Sequence, residues 1–207
     1  MVCYWRACLL VFALCAGCDQ KQCGPDDTLG QQLRQTLYVE KQPESISSIR
    51  DAYDSFAEGQ TITIAGRIYA DGISPFDANE ASFTIIELPK PGHNHEDPGD
   101  CPFCKREMKN AKFAIVKILD DQGSTIAQPA DQLLDLIKNQ DIVVTGPVSR
   151  VGETLIVQLQ GLHLLSPGAA ESLSKSFRQA LQATGADTQS EQPLDQQPDA
   201  SREVSGA

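Results

Sequence analysis

Basic residues, histidines and long apolar runs are all in short supply in this chain. Its 207 residues contain 17 Lys+Arg against 28 Asp+Glu, a formal net charge of −11, with 3 histidines and one tryptophan. The negative balance opposes binding to nucleic-acid phosphates and to anionic lipid through bulk electrostatics. The sequence shows no Ser-His-Asp pattern, P-loop or glycine-rich nucleotide fingerprint, so no enzymatic reaction is indicated by such motifs. At 41% hydrophobic residues the chain can still bury a core.

The seven cysteines are unevenly placed, with five before residue 24 and two in a later loop. Near the N-terminus, Arg6 precedes an uncharged apolar run over residues 7–15. That run is too short to cross a membrane and is typical of the hydrophobic region of an export signal. An Ala-Gly pair then leads into Cys18, after which the sequence turns polar. This order predicts an export signal over residues 1–17.

The segment ending at Cys18 resembles a bacterial lipoprotein signal, although Cys15 stands where that family usually has an aliphatic residue. The resemblance implies cleavage before Cys18 and attachment of lipid to its thiol, with the membrane as a partner. Asp19 resembles the signal that retains some lipoproteins in the inner membrane, facing the periplasm. Cleavage would remove one basic residue, leaving 16 Lys+Arg against 28 Asp+Glu and a net charge of −12.

The mature chain is expected to hold one folded domain between two less ordered segments. Residues 18–43 are polar without a strong period and predict a tether. Residues 184–207 are rich in Gln, Asp, Pro and Ser and predict a disordered tail. Helices are predicted at the start of the domain, after Ser45, and beyond its end, over residues 166–183, because apolar residues recur there at helical spacing. These residues are Ile46, Ile49, Tyr53 and Phe56 in the first helix, and Leu173, Phe177 and Leu181 in the second.

Residues 44–165 form the predicted domain, which is mainly β. Alternating apolar and polar residues predict five strands, with a short helix between the third and the fourth. The strands cover residues 61–69, 82–88, 112–119, 141–146 and 154–159, and the helix covers residues 130–138. This order of elements, with Gly66 where a long first strand would bend, resembles the OB-fold, a five-stranded Greek-key barrel. A small β-sandwich would give a similar pattern, and the helix between the third and fourth strands favours the OB-fold.

The OB-fold resemblance implies binding of nucleic acid, oligosaccharide or protein, without choosing among them. Residues 59–165 contain 9 Lys+Arg and 14 Asp+Glu, a net charge of −5. Phe83 and Phe113 lie within alternating apolar strands and are expected in the core. OB-folds that bind single strands use basic grooves and exposed aromatic side chains. Nucleic acid is therefore not an expected partner, whereas a protein partner in the cell envelope stays open.

The segment 89–111, between the second and third strands, concentrates residues that bind metals. It contains two of the three histidines, His93 and His95, and the cysteine pair Cys101 and Cys104. Two imidazoles and two thiolates make the tetrahedral donor set that Zn²⁺ favours, and Cu(I) is the alternative because soft thiolates suit it. The Cys-Pro-Phe-Cys turn resembles the knuckle of zinc ribbons and rubredoxin-like sites, which implies that both thiolates face one ion.

Charged residues in the same loop are candidates to support this site. Glu96, Asp97 and Asp100 could orient an imidazole, and Lys105 and Arg106 could offset the charge of the thiolates. Four protein ligands close a tetrahedral site, whereas catalytic zinc usually keeps one position open. We therefore expect a structural or carrier metal and no enzymatic activity. If only three ligands bind, Glu96 or Glu107 could act as a base beside a metal-bound water.

Two other interpretations of the cysteine pair stay open. Cys101 and Cys104 could form a plain disulfide that staples the loop of a ligand-binding barrel. They could also carry out thiol–disulfide exchange, since Cys-Pro-Phe-Cys resembles the active-site motif of glutaredoxins. Only residues 105–110 separate the pair from the next strand, however, and this is too short for the helix that the exchange chemistry requires.

The metal interpretation is favoured because both disulfide interpretations leave the paired histidines without a role. No histidine follows Cys104, which excludes the Cys-X-X-Cys-His attachment of haem c. The third histidine, His163, lies in an alternating run and is expected to be a packed or edge residue instead of a ligand.

Overall fold

A computed structural model describes residues 27–90 and 111–183, which contain four helices and seven strands. The helices are α1 (Asp27–Leu37), α2 (Ile49–Asp54), α3 (Ala130–Leu134) and α4 (Pro167–Ala183). The strands are β1 (Ser47–Ser48), β2 (Thr61–Ile68), β3 (Ser82–Ile86), β4 (Phe113–Lys117), β5 (Asp141–Val151), β6 (Thr154–Gln158) and β7 (Gly161–Leu164).

Five of the strands close into a barrel. β2 pairs antiparallel with β3, β3 with β4, and β5 with β6, while β4 and β6 run parallel. A long antiparallel ladder between β2 and β5 completes the circle. Helix α3 falls between the third and fourth barrel strands, β4 and β5. The predicted OB-like barrel, with its helix in that place, is confirmed.

The interior of the barrel is filled by alternate residues of each strand, as the pleat requires. In β3 and β4 the inward side chains are Phe83, Ile85, Ala114 and Val116, each at most 1% exposed. The core position expected for Phe83 is confirmed. The same expectation for Phe113 was wrong: this residue precedes Ala114, so it faces outward, and it is 42% exposed.

Two glycines allow the strands to cross closely. Gly66 lies where β2 leaves its ladder with β5 and begins to pair with β3. A Cβ atom on Gly66 would come within 2.7 Å of the Ile86 carbonyl oxygen, so this position requires glycine for a close backbone approach. The bend expected at Gly66 stays a prediction. Gly146 on β5 is tighter still, because a Cβ there would lie 1.7 Å from the Gln158 carbonyl oxygen.

Helix α1 occupies part of the segment 18–43, which the sequence predicted as a tether with room for a short helical turn at Leu33, Leu37 and Tyr38. Leu29 and Leu33 pack against the barrel core, and Leu37 is buried within it. The Arg34 guanidinium donates to the Leu133 carbonyl oxygen at 2.7 Å, which joins α1 to α3. From residue 27 onward the predicted tether is therefore part of the folded domain. The three leucines recur every fourth residue, which is the helical spacing that the polar residues between them concealed.

The Tyr38→Phe variant is expected to lose about 1 kcal/mol of unfolding free energy at neutral pH. The Tyr38 hydroxyl donates to the Leu134 carbonyl oxygen at 2.5 Å. Burial raises the pKa of this phenol above 10.0, Asp135 adds to the rise, and Arg34 opposes it. A raised folded-state pKa stabilises the fold fully below the unfolded value and loses that effect as pH rises through the folded one. Urea unfolding at about pH 7 and about pH 11 should show that the extra unfolding free energy of the wild type over Tyr38→Phe is smaller at the higher pH. The same difference at both pH values would contradict a stabilising role for the protonated Tyr38 hydroxyl.

Helix α2 begins later than predicted. The sequence placed its start after Ser45, whereas residues 47–48 form the short strand β1 beside β2. Ser48 is the N-cap, and its hydroxyl oxygen accepts from the Asp51 amide at 3.0 Å. Ile49 is then fully buried, while Ile46 packs in a separate cluster under α4. Helix α2 begins at Ile49 because the Ser48 hydroxyl accepts from an amide of the first turn that would otherwise have no partner. Ser45 is too far away to make this bond.

Helix α4 lies where the sequence predicts a helix over residues 166–183, and it packs against the outside of β2 and β5. Leu173 and Phe177 contact a small cluster that contains Ala65, Val143 and Leu165. Within residues 27–90 and 111–183, no helix is both long and apolar enough to cross a membrane. The predicted tail, residues 184–207, lies outside the described residues.

Candidate functional site

The predicted metal ligands lie outside the residues that the structure describes. This applies to His93, His95, Cys101 and Cys104, to the supporting residues Glu96, Asp97, Asp100, Lys105, Arg106 and Glu107, and to the lipid-attachment residue Cys18. In the described part of the chain, no group of three or more His, Cys, Asp or Glu side chains could hold a metal ion. The structure does define both ends of the loop, which are called here its stems: residues 87–90 and 111–112.

The two stems leave the barrel side by side. β3 and β4 are neighbours in the sheet, and their last pair before the loop is Ile86 opposite Phe113. One step further, the Glu87 amide donates to the Lys112 carbonyl oxygen at 3.2 Å. The barrel therefore holds the loop as an excursion whose ends are fixed next to each other by backbone hydrogen bonds.

Helix α2 contacts both stems. Arg50 makes a bidentate ion pair with Glu87, with Nε–Oε1 and Nη2–Oε2 distances of 3.0 and 3.1 Å. Its side chain is 35% exposed and that of Glu87 22%, so the pair is partly shielded from water. Three residues along the helix, the Tyr53 ring lies 4.1 Å from the Lys112 ammonium. Residues three apart share a helix face, and this face of α2 therefore meets both ends of the loop.

The Tyr53 side of this contact is reinforced from the β5–β6 hairpin. The Arg150 guanidinium lies 4.2 Å from the Tyr53 ring centre and 4.5 Å from that of Phe56. It also donates to the Tyr53 carbonyl oxygen at 2.5 Å, and the Tyr53 hydroxyl donates to Glu153. The hydrogen bond to the Glu153 carboxylate is the main cause that raises the pKa of Tyr53. Cation–π contacts of this kind are worth about 0.5–1 kcal/mol each at exposed sites.

Helix α4 provides a further contact with the first stem. The Ser174 hydroxyl donates to the Pro89 carbonyl oxygen at 2.8 Å. Leu88 packs in the same cluster as Leu173 and Phe177. The stems are thus held by the sheet, by α2 and by α4, three elements that are far apart in sequence.

The outer surface of β3, β4 and β6 forms a second candidate site, called here the outer face. Register places Thr84 opposite Ile115, Ile86 opposite Phe113, and Ile115 beside Ile156. The three strands contain no Asp or Glu, although the chain has 28 of them. Their one cation, Lys117, is paired with Glu80 at 3.1 Å. The strands of the outer face are therefore free of acidic residues, and its centre is a small apolar cluster of Ile86, Phe113, Ile115 and Ile156 in which Phe113 is 42% exposed. Polar residues surround this cluster, namely Ser82, Thr84, Lys117, Thr154 and Gln158.

Sequence reasoning missed this face because the pattern around Phe113 fits two phases. Phe113, Ile115 and Lys117 alternate with Ala114, Val116 and Ile118, and both sets are largely apolar. The small size of Ala114 is the one property that favours the set of Ala114, Val116 and Ile118 for the narrow interior of the barrel, and it is a weak signal. The third histidine, His163, was expected to be a packed or edge residue. It lies on β7, and its Nδ1 is 2.8 Å from the carbonyl oxygen of Val39.

With the barrel and the two sites described, the chain falls in the class of small OB-like barrel domains. No protein-family model matches it, and no curated protein matches it either. Among solved structures, it is similar to a crystal structure from Leishmania major Friedlin that is provisionally described as an aspartyl-tRNA synthetase. The identity is 7% and the TM-score 0.38, over 67% of this chain and 25% of the Leishmania chain.

Proposed function

We propose that this chain is a non-catalytic metal-binding lipoprotein of the bacterial cell envelope. Lipid on Cys18 would anchor it to the inner membrane, facing the periplasm. The loop would bind one Zn²⁺, or Cu(I), through His93, His95, Cys101 and Cys104. The role of the ion would be structural, or that of a cargo carried by the domain.

The observation that carries the proposal is the placement of this donor set in the chain. Two of the three histidines and two of the seven cysteines fall within twelve residues of one loop. The stems of that loop are fixed side by side on a closed barrel, so the four donors belong to one short, closed excursion. Four such ligands complete a tetrahedral site, which supports a metal without a catalytic position.

Metal analysis of the full chain, purified in detergent, tests this proposal. We expect about one equivalent of Zn or Cu per chain, lost in both Cys101→Ser and His93→Ala, because four-ligand sites depend on every donor. His163→Ala is the matched control, since His163 lies on β7 and should leave the metal content unchanged. Mass spectrometry of the intact protein checks lipid on Cys18.

Three outcomes would contradict the proposal, and the first two favour its alternatives. A metal-free chain with Cys101 and Cys104 oxidised, inactive towards other disulfides, would indicate a stapled loop. Dithiol-dependent reduction of a test disulfide, lost in Cys101→Ser, would indicate a thiol–disulfide redox protein. Metal retained in His93→Ala would remove the histidine from the ligand set.

A second candidate function is that of an OB-type module that binds a protein or another ligand. The outer face is the observation that favours it. The apolar cluster around the exposed Phe113 carries no charge, and uncharged apolar residues inside a polar rim are typical of the centre of a binding interface. The near absence of free cations on these strands supports the expectation that nucleic acid is not the partner.

Phe113→Ala is expected to change the unfolding free energy by about 1 kcal/mol or less, because the side chain is already half exposed. The same change should lower the fluorescence of a dye that binds apolar surface, since Phe113 contributes the most exposed ring of the outer face. Urea unfolding and dye titration measure the two effects. A large loss of stability, or unchanged dye binding, would show that the ring is packed and that no such surface exists.

A further inference from the structure

We infer that Lys112 and Arg150 form a binding site for a small phosphate-bearing ligand beside the Tyr53 ring, at one end of the barrel. All three residues belong to the described part of the chain. The site is independent of the proposed metal-binding function, and it gives this end of the barrel a binding activity of its own.

The first step is that the barrel brings the two cations to the same end of the sheet. Ala114 on β4 lies beside Leu155 on β6, and Leu155 lies opposite Arg150 on β5. Lys112 comes one residue before β4, so it starts from this same end. The Lys112 ammonium and the Arg150 guanidinium lie 4.1 and 4.2 Å from the centre of the Tyr53 ring. They are therefore separated by no more than twice that distance, which one phosphate group can bridge with a hydrogen bond to each.

The second step is that neither cation has a carboxylate partner in the described part of the chain. Six other basic residues there do form an ion pair with a carboxylate, as expected in a chain with 28 Asp+Glu. Arginine has five N–H donors, yet among the described residues only the Tyr53 carbonyl oxygen accepts from Arg150. Its buried Nε has no acceptor among them. A buried donor of this kind commonly indicates a water or an ion that completes the site.

The third step is that the carboxylate closest in sequence to Arg150 is already engaged elsewhere. Glu153 lies in the same hairpin, but it accepts from the Tyr53 hydroxyl. Asp54, the other carboxylate close enough to affect the pKa of Tyr53, makes no ion pair with either cation within the described residues. Tyr53 therefore contacts both cations through its ring and holds a competing carboxylate through its hydroxyl. An anion from outside can then pair with the guanidinium and the ammonium.

The charge of the site and of the whole chain selects the class of ligand. A phosphate monoester carries a charge of about −1.5 to −2 at neutral pH, which matches two cations, and a guanidinium can bind two phosphate oxygens at once. A polyanion or an anionic membrane surface is disfavoured, because the chain carries −11 and would be repelled. The site therefore fits one phosphate group on a small soluble molecule.

Calorimetric titration of the full chain in detergent with inorganic phosphate, at constant ionic strength, tests the inference. We expect Lys112→Gln and Arg150→Gln each to weaken phosphate binding by about tenfold, since each removes a charge-assisted hydrogen bond. Glu153→Gln should strengthen binding, because it removes a negative charge beside the site. Tyr53→Phe should weaken it, because Glu153 is then released to pair with Arg150. A loss of folded protein would weaken binding in every variant, so the opposite effects of Arg150→Gln and Glu153→Gln separate binding from folding.

Lys138→Gln is the matched control, because its ammonium also lies over a tyrosine ring, 5.1 Å from the centre of Tyr69, but near the opposite end of β5 from Arg150. Its phosphate affinity should equal that of the wild type. A wild-type chain that does not bind phosphate, or an unchanged affinity in Arg150→Gln, would overturn the inference and leave the metal-binding function intact. Binding to micelles that contain phosphatidylglycerol, lost in Arg150→Gln, would overturn the choice of a soluble ligand in favour of a lipid headgroup.

Discussion

Gly146→Ala is expected to destabilise the barrel by about 3 kcal/mol or more, which is a large part of the stability of an ordinary domain. β5 pairs with β7 up to Thr145 and with β6 from Val148 onward. Between the two ladders the chain linking β6 to β7 crosses over Gly146. A Cβ atom would lie 1.7 Å from the Gln158 carbonyl oxygen and 2.8 Å from its carbonyl carbon. Because these are backbone atoms, no rotamer change relieves the overlap, and a strand must move.

Two other glycines provide a graded comparison for this prediction. Gly66→Ala should be less damaging, because its Cβ would lie 2.7 Å from one carbonyl oxygen, while the other neighbours, at 3.1 and 3.3 Å, are side-chain atoms. Gly161→Ala on β7 should be nearly neutral, since the nearest atom would be at 3.5 Å, an ordinary contact. Urea unfolding of the three variants measures the order. If Gly146→Ala were as stable as Gly161→Ala, the crossing would have to be looser than the structure shows.

The fold was accessible from the sequence because the barrel strands repeat a simple alternation. From Thr61 to Ile68 every second residue is isoleucine except at Gly66, and a closed barrel buries that face. The place of α3 between the third and fourth barrel strands then distinguished the OB-like order from a sandwich. Local pattern and overall topology agree in these segments, which is why the prediction succeeded.

Two features of the fold were harder to predict from the sequence. They are the face of β4 that points into the core and the packing of α1 on the barrel. In β4 both faces are apolar, so alternation cannot tell which one faces the core, and Phe113 was assigned to the wrong side. In α1 the apolar stripe of Leu29, Leu33 and Leu37 is surrounded by Gln, Thr and Arg. Its burial depends on a partner, α3, that lies almost a hundred residues away in sequence.

The contacts that hold the loop stems could not be predicted from the sequence either. Arg50 and Glu87 are separated by 37 residues, and Tyr53 meets Arg150 across 97. Surface charges of this kind carry no periodic signal, and only the closed barrel brings them to one edge. The metal site, by contrast, is a prediction that needs no fold, because donor type and spacing are local properties of the loop sequence.

Asp141→Asn is expected to cost about 3–5 kcal/mol of unfolding free energy, because it leaves a buried guanidinium without its counter-charge. Arg67 and Asp141 face each other in the ladder between β2 and β5. Their Nε–Oδ1 and Nη2–Oδ2 distances are 2.7 and 2.9 Å, and the side chains are only 10% and 11% exposed. Water therefore cannot replace the lost charge. Urea unfolding of the variant, at low and at high salt, measures the cost.

Replacing both partners should restore most of this stability, since the double change Arg67→Met with Asp141→Leu removes the buried charges together and replaces them with apolar side chains. Glu44→Gln is the matched control: it breaks the fully exposed pair with Lys41 and should change stability by less than about 0.5 kcal/mol. Because the buried pair is shielded, its effect should hardly depend on salt, whereas surface charge effects weaken as salt is added. A small, salt-sensitive effect of Asp141→Asn would mean that water reaches this pair, and that the seam between β2 and β5 opens in solution at the end where α3 joins the barrel.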